Sequence, residues 1–125
     1  MSGGVTLDTG ALIALERRHQ RVLAFMAAVQ RRRVRATVPA PVVAEWWRKR
    51  TDIRESILEA VVIEPMEADL AKLVGEALAE VRGGSLVDAT VMASASRRGD
   101  IVLTADVEDL QRLGARFPNV RLLRV

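Results

Sequence analysis

The sequence predicts an α/β domain that is built on a mainly parallel β-sheet. Short runs rich in Val, Ile and Leu alternate along the chain with longer stretches of helical periodicity, which is the pattern of βαβ units. The chain has 125 residues, a length that suits one domain with one hydrophobic core. We therefore expect residues 1–125 to form a single domain.

Five short apolar runs are predicted to be strands, since strands buried in a parallel sheet can be short. The predicted strands are Val5–Leu7, Arg35–Val38, Val61–Ile63, Ile101–Thr104 and Val120–Leu123. Stretches with helical periodicity fill the gaps between them. The predicted helices are Gly10 to about Arg18, Arg21–Arg31, Pro41–Arg50, Ile53–Glu59, Met66–Arg82, Leu86–Arg98 and Val107–Leu113. The clearest helix is Met66–Arg82, whose apolar side chains share one face and which ends at Gly83 and Gly84.

The composition excludes several classes of site. There is no Cys, which excludes disulfide scaffolds, cysteine zinc sites and thiol nucleophiles. His19 is the only histidine and stands in the charged stretch Glu16–Arg21, where a solvated helix face is expected. No apolar run approaches the ~18 residues of a membrane helix, and the start Met1–Asp8 lacks the basic region of a signal peptide. We expect a cytoplasmic protein that does not associate with membranes.

Arginine dominates the positive charge. All 19 basic residues except Lys49 and Lys72 are Arg, and the net charge is +3. Arginine suits the bidentate recognition of phosphate, so a nucleic-acid partner is one interpretation, and the compositional bias of a GC-rich genome is the other. The run Arg31–Arg35 fits either a solvated helix end or a contact with RNA or a partner. The pair Trp46–Trp47 is more typical of a core or a dimer interface than of base stacking.

Most acidic residues lie on predicted helix faces among basic residues, but four do not. Asp8 directly follows the first strand, and Asp106 comes two residues after the strand Ile101–Thr104. The carboxyl ends of parallel strands meet at one edge of a sheet, where ligand sites gather. Asp88 lies on the inward face of its predicted helix, and Glu45 stands in an apolar stretch after the second strand. We expect all four side chains at this edge.

Each of the four acids also has a purely structural interpretation. Asp8 and Asp106 could cap the helices that follow them, the latter with help from Asp109, and Ser85-x-x-Asp88 reads as a capping box. Glu45 could pair with Arg48 or Lys49 at helical spacing. A cluster of carboxylates, by contrast, suits Mg²⁺ or Mn²⁺, and such a site hydrolyses phosphodiesters without a histidine.

These segments together resemble the PIN-domain ribonucleases, and within them the VapC-type toxins of bacterial toxin–antitoxin pairs. The matching segments are Val5–Leu15, Pro39–Glu45, Ser85–Ala89 and Leu103–Leu110. The resemblance implies a three-layer α/β/α fold with a short, mainly parallel central sheet of four to five strands. It also implies a Mg²⁺-dependent endoribonuclease in which Mn²⁺ substitutes.

The resemblance assigns roles residue by residue. Asp8, Asp88 and Asp106 match the metal ligands, and Glu45 completes a catalytic quartet. Thr9, Thr104 and Asp109 match supporting residues. The implied partners are an RNA substrate such as tRNA or rRNA, a small antitoxin that covers the active site, and a second copy of the chain in a homodimer. The stretch Arg17–Arg35 is not typical of the family and has no assigned role.

Three other functions are consistent with parts of the pattern. One is a catalytically silent PIN fold that binds RNA or a protein. A receiver-like phospho-acceptor module needs a lysine at the end of a late strand, and neither lysine of this chain lies there. A haloacid-dehalogenase-like phosphatase needs Asp-x-Asp after the first strand, whereas Asp8-Thr9-Gly10 lacks the second acid.

Overall fold

The computed structural model describes residues 3–125, in which five strands form one fully parallel sheet and seven helices pack against it. The strands are β1 (Val5–Leu7), β2 (Ala36–Pro39), β3 (Val62–Glu64), β4 (Ile101–Thr104) and β5 (Arg121–Arg124). Their order is β3-β2-β1-β4-β5. This confirms the predicted α/β/α fold. Met1 and Ser2 begin the segment whose sequence lacks the pattern of a signal peptide, and they lie outside the described residues.

Each connection between consecutive strands contains at least one helix, as parallel pairing requires. The helices are α1 (Thr9–Glu16), α2 (Gln20–Arg31), α3 (Ala40–Trp47), α4 (Asp52–Glu59), α5 (Ala68–Glu80), α6 (Leu86–Arg98) and α7 (Val107–Gln111). Helix α1 contacts α2, α3 and α4, whereas α5 packs along α6. Within residues 3–125, every helix is too short or too polar to cross a membrane.

Several predicted boundaries are wrong, because arginine stands where a helix normally ends at glycine. The third helix ends at Trp47 rather than Arg50, since Arg48 adopts a φ of 41°. Helix α1 ends before Arg18, which also has a positive φ of 57°. A left-handed residue after a helix is usually Gly or Asn, so the sequence contains no stop signal here.

Helix α5 and three strands also differ from prediction. The predicted helix Met66–Arg82 is too long at both ends, because Glu67 and Val81 have extended backbone. Strands β2, β3 and β5 each lie one residue further along the chain than predicted. Their hydrogen-bonding partners on neighbouring strands decide their limits, and a single strand's own apolar run does not specify those partners.

Helix α6 forms the centre of the core. Its residues from Ala89 to Ala95 are all buried and mostly small, which allows the helix to lie close to β1, β2 and β4. Helix α3 contacts both α1 and α6. Since α1, α3 and α6 all begin near the carboxyl edge of the sheet, this packing brings their first turns together there.

A partly buried charged network joins the end of α6 to strands β1 and β3. Asp100, just before β4, accepts hydrogen bonds from the Gly4 backbone N–H (2.7 Å), the Thr6 hydroxyl (2.8 Å) and Arg98 Nε (2.9 Å). Arg98 also pairs with Glu64 at 2.8 Å. Burial alone would raise the pKa of Glu64. The hydrogen bond from Ser94 and the charge of Arg98 outweigh burial and hold this pKa below its usual range. The expectation that the remaining acids lie on solvated helix faces is therefore wrong for Asp100 and Glu64.

Candidate active site

The four acids selected from the sequence line one cavity at the carboxyl edge of the sheet. This acid cavity has a volume of about 330 Å³. Its lining residues are Asp8, Thr9, Gly10, Glu45, Val87, Asp88, Ala105 and Asp106. Strands β1 and β4 are neighbours, with Leu7 paired to Leu103, so the acids that follow them reach the same edge. The four acids therefore lie at one edge of the sheet, as the sequence predicts.

Asp8 is the most buried of these acids, with 6% of its surface exposed. Its Oδ1 accepts a hydrogen bond from the Ala11 backbone N–H at 2.9 Å, so it caps α1. Burial raises the pKa of Asp8 to about 6, although hydrogen bonds from Thr104 and Ala11 oppose the increase. The negative charges of Asp88 and Asp106 raise this pKa further. Asp8 is therefore a carboxylate that lacks charge compensation.

Asp88 lies in the first turn of α6 and is half-buried. Its backbone N–H donates to the Ser85 hydroxyl at 3.0 Å, so Ser85 is the N-cap that the sequence indicated. Burial raises the pKa of Asp88, a hydrogen bond from Ser85 opposes this, and the charges of Asp109 and Glu45 add to it. The Ser85 cap is confirmed, but within residues 3–125 no bond from the Ser85 backbone N–H to the Asp88 carboxylate completes a capping box, and the Asp88 side chain lines the acid cavity.

Asp106 occupies the N-cap position of α7, but its carboxylate makes no capping hydrogen bond to the first turn of that helix's backbone. A hydrogen bond shared with the Asp109 carboxyl raises the pKa of Asp106, and the charges of Asp109 and Asp88 add to the increase. The Thr104 hydroxyl accepts from the Asp106 backbone N–H at 2.8 Å and also hydrogen-bonds to Asp8. Thr104 thus connects the two acids that follow β1 and β4.

Glu45 projects from α3 on the opposite side of the cavity. Its carboxylate accepts a hydrogen bond of 2.5 Å from the Thr9 hydroxyl. Arg48 contacts the backbone oxygen of Glu45 and not its carboxylate, and no ion pair to Lys49 is found within residues 3–125. The interpretation of Glu45 as a simple helical ion pair is therefore wrong, because its carboxylate turns toward α1.

The donor set of the acid cavity fits a hard divalent cation. Among the described residues that line it, none is basic, so four carboxylates share a small space without a positive partner. Carboxylate oxygens are the preferred ligands of Mg²⁺ and Mn²⁺. Within residues 3–125, no three acidic side chains lie close enough together to enclose one ion. Repulsion between carboxylates favours such a separation when no cation is bound. An ion would bind here only if these side chains moved closer together.

Gly10 was not selected from the sequence, yet it shapes the site. A Cβ at this position would lie 2.8 Å from the Ala105 Cβ and 3.3 Å from the Ala105 nitrogen. The absence of a side chain therefore allows α1 to approach the loop after β4. The glycine in Thr9-Gly10, directly after Asp8, was the sequence feature that could have indicated this close approach. Only the tertiary structure shows that the loop after β4 is the segment that approaches it.

The Asp8 carboxyl is expected to titrate near pH 6 in metal-free protein. Because this folded-state pKa lies above the usual aspartate value of 3.8, the group's contribution to stability is greatest below about pH 4 and is lost as the pH rises through about 6. Carbon-13 NMR of the Asp8 carboxyl in EDTA, assigned with Asp8→Asn, measures the midpoint. A midpoint near pH 4 would contradict this prediction.

Comparison with known proteins finds one matching family model and several solved structures of the same fold. A family model described as the PIN domain matches residues 5–115. No curated protein was found to match the chain. VapBC2 from Rickettsia felis, bound to a DNA fragment from its promoter, matches with a TM-score of 0.76 and 14% identity over 97% of this chain and 98% of the other.

Two further solved structures match over nearly their whole length. DNA-bound VapBC from Salmonella typhimurium has a TM-score of 0.74 and 16% identity, over 98% of both chains. A toxin–antitoxin complex from Klebsiella pneumoniae has a TM-score of 0.67 and 17% identity, over 94% of this chain and 95% of the other. At such low identity these likenesses establish a shared fold.

Proposed function

Since this chain belongs to the PIN domain family, we propose that it is a Mg²⁺- or Mn²⁺-dependent endoribonuclease that acts as the toxin of a toxin–antitoxin pair. The family match confirms the family that the sequence motifs indicated. One observation carries the proposal: four carboxylates share the acid cavity, and among its described lining residues none is basic. The arginine-rich remainder of the chain suits a polyanionic substrate.

Asp8, Asp88 and Asp106 are the proposed metal ligands, since their carboxylates face the same cavity and have raised pKa values. When bound, Mg²⁺ or Mn²⁺ supplies positive charge for the phosphate oxygens and lowers the pKa of a bound water. Hydrolysis adds water across the P–O3′ bond. The expected products therefore carry 5′-phosphate and 3′-hydroxyl ends.

The remaining residues of the site orient these groups. Thr104 holds Asp8 through its hydroxyl and Asp106 through that residue's backbone N–H. Thr9 holds the Glu45 carboxylate on the far side of the cavity, where Glu45 orients the substrate or the attacking water. Asp109, which pairs with Arg112 at 3.8 Å, raises the pKa of Asp106 and so adds negative charge beside the site.

The proposed partners are RNA, an antitoxin and a second copy of the chain. A structure of the same fold is a toxin–antitoxin complex, which supports a protein inhibitor, and structured RNA such as tRNA or rRNA is the proposed target in the cytoplasm. The edge strand β3 exposes Val62 (48%) and Ile63 (44%). An exposed apolar edge strand favours coverage by another chain, which supports a homodimer.

Purified protein is expected to cleave RNA from total cellular RNA with Mg²⁺ or Mn²⁺ and not with EDTA. Asp88→Asn should reduce this cleavage by about 100-fold or more, since it removes a ligand charge from the acid cavity. Sequencing of the new ends identifies the target and tests for 5′-phosphates.

Asp69→Asn is the matched control, because Asp69 is also an acid in the first turn of a helix but lies on the exposed surface of α5. It should cleave as fast as the parent protein. The catalytically silent PIN fold would be supported instead if neither cation produced cleavage and Mn²⁺ failed to bind the parent protein more tightly than Asp88→Asn.

A further inference from the structure

A second cavity adjoins the acid cavity. It has a volume of about 590 Å³ and shares Thr9 and Glu45 with the acid cavity. The hydrogen bond between these two residues therefore forms a boundary between the cavities. Because Arg17, Arg48 and Arg54 line the second cavity, we call it the arginine groove.

The free charge of the groove is positive. Of its two acids, Glu16 pairs with Arg54 at 3.0 Å and accepts a hydrogen bond from Trp46 Nε1 at 3.0 Å. Glu45 accepts from the neutral Thr9 hydroxyl and keeps its charge, which Arg17 and Arg48 together exceed. Arg17 and Arg48 are exposed, and among residues 3–125 neither forms an ion pair. Two guanidinium groups are therefore available to an anion next to the proposed cleavage site.

The groove also has an apolar wall. Ile13 and Ile53 both line it, and Ile53 is 52% exposed. An apolar surface beside guanidinium groups fits the two parts of a nucleotide, because the base stacks on apolar or planar groups while the phosphate takes the charge.

The backbone holds Arg48 at the edge of this groove in an unfavourable conformation. Its φ of 41° and ψ of −53° lie in a region that side chains rarely adopt, and its Nε donates to the Glu45 backbone oxygen at 3.0 Å. Strain of this kind persists where the surrounding structure imposes it, and it concentrates at functional sites. The turn and this hydrogen bond hold the Arg48 side chain beside the Glu45 backbone, in the wall of the arginine groove.

We propose that the arginine groove binds the nucleotide next to the scissile phosphate of RNA, with Arg17 and Arg48 contacting its phosphate. This inference rests on the proposed function. It assigns a role to part of the basic stretch Arg17–Arg35 and explains why the acid cavity, which repels phosphate by itself, would still retain an RNA strand.

The test is RNA binding in EDTA, where no cleavage takes place. Fluorescence anisotropy of a short, fluorescein-labelled, single-stranded oligoribonucleotide of mixed sequence is measured with Arg17→Gln and Arg48→Gln at several salt concentrations. Each change should raise Kd about five-fold and reduce the slope of log K against log salt by about 0.7, the value for one phosphate contact on a single strand. Arg48→Lys keeps the charge and should keep the salt slope of the parent, while its Kd rises less than that of Arg48→Gln because only the bidentate geometry is lost.

Arg121→Gln is the control, because Arg121 is an exposed arginine at the start of β5, on the opposite edge of the sheet. It should leave Kd and the salt slope unchanged. An equal loss in Arg121→Gln would show that binding depends on overall charge, and unchanged binding in Arg17→Gln and Arg48→Gln would overturn the groove directly. Arginine-dependent binding of a polyglutamate peptide, without an effect on RNA, would identify a protein site instead and also overturn it.

These experiments distinguish failure of the proposed nuclease activity from failure of the arginine groove. If the parent protein cleaves no RNA but its binding depends on both arginines, the groove stands and the nuclease does not. If cleavage is present, the two Gln variants should raise KM while kcat changes by less than about twofold, a pattern that a general loss of structure would not produce.

Discussion

Asp8→Asn is expected to abolish RNA cleavage and, at the same time, to stabilise the protein. The change removes a proposed metal ligand, so activity should fall by about 10³-fold or more. Asparagine retains an oxygen that can accept from the Ala11 N–H, so α1 keeps its cap. The buried negative charge disappears.

The size of the stabilisation follows from the pKa of Asp8. Burial raises this pKa from 3.8 to about 6, and each pKa unit corresponds to about 1.4 kcal/mol. The ionised carboxylate therefore costs the folded state about 3 kcal/mol at pH 8. Because a buried amide also loses hydration, the net gain should be about 1 to 2 kcal/mol.

Urea denaturation in EDTA, followed by the fluorescence of Trp46 and Trp47, measures this gain at pH 8. Since Asp8 is protonated near pH 4 in the folded protein, the advantage of the variant should disappear as the pH falls to that value. A variant that is less stable than the parent at pH 8 would contradict the account. It would mean that Asp8 contributes more as a charged helix cap than it costs by burial.

Asp100→Asn should have the opposite profile, with a loss of about 3 to 4 kcal/mol of stability and nearly unchanged cleavage per folded molecule. The Asp100 carboxylate accepts from three donors and its side chain is 1% exposed. An amide in its place would direct N–H groups at Thr6 or Arg98, which themselves donate. Arg98 would then be a partly buried cation with one carboxylate partner fewer.

Asp52→Asn is the control for this experiment. Asp52 also pairs with an arginine, Arg50 at 2.9 Å, but its side chain is 93% exposed, so the loss should stay below about 0.5 kcal/mol. Urea denaturation gives both values, and a cleavage assay at a temperature where Asp100→Asn remains folded gives its activity. A loss below about 1 kcal/mol for Asp100→Asn would show that water replaces its hydrogen bonds.

The two buried aspartates differ in their partners and not in their burial. Asp100 has a guanidinium and two further donors, whereas Asp8 has two neutral donors and faces two other acids. Removing one partner of a buried, hydrogen-bonded charge destabilises the fold, and a buried charge that is left unpaired costs stability. The cost at Asp8 is what makes the acid cavity suited to a cation.

Both residues stand beside a short apolar strand in the sequence, Asp8 after β1 and Asp100 before β4. Only Asp8 was selected, because the carboxyl ends of parallel strands are the edge where ligand sites gather. Asp100 also lies directly beside an apolar run, but its hydrogen-bond partners Gly4 and Thr6 lie more than ninety residues away along the chain. Its role depends on a contact that no nearby pattern specifies.

The sequence by itself determined the α/β class, the strands β1 and β4, helix α6 with its Ser85 cap, and the four acids that share the acid cavity. These features depend on local periodicity and on which end of a strand an acid follows, and both can be read along the chain. Only the tertiary structure decided that α3 ends at Trp47, that Glu45 turns to Thr9, and that an arginine groove adjoins the acid cavity. Those features depend on the packing of α1 against α3 and α4, and contacts between distant segments leave no periodic signal in either segment.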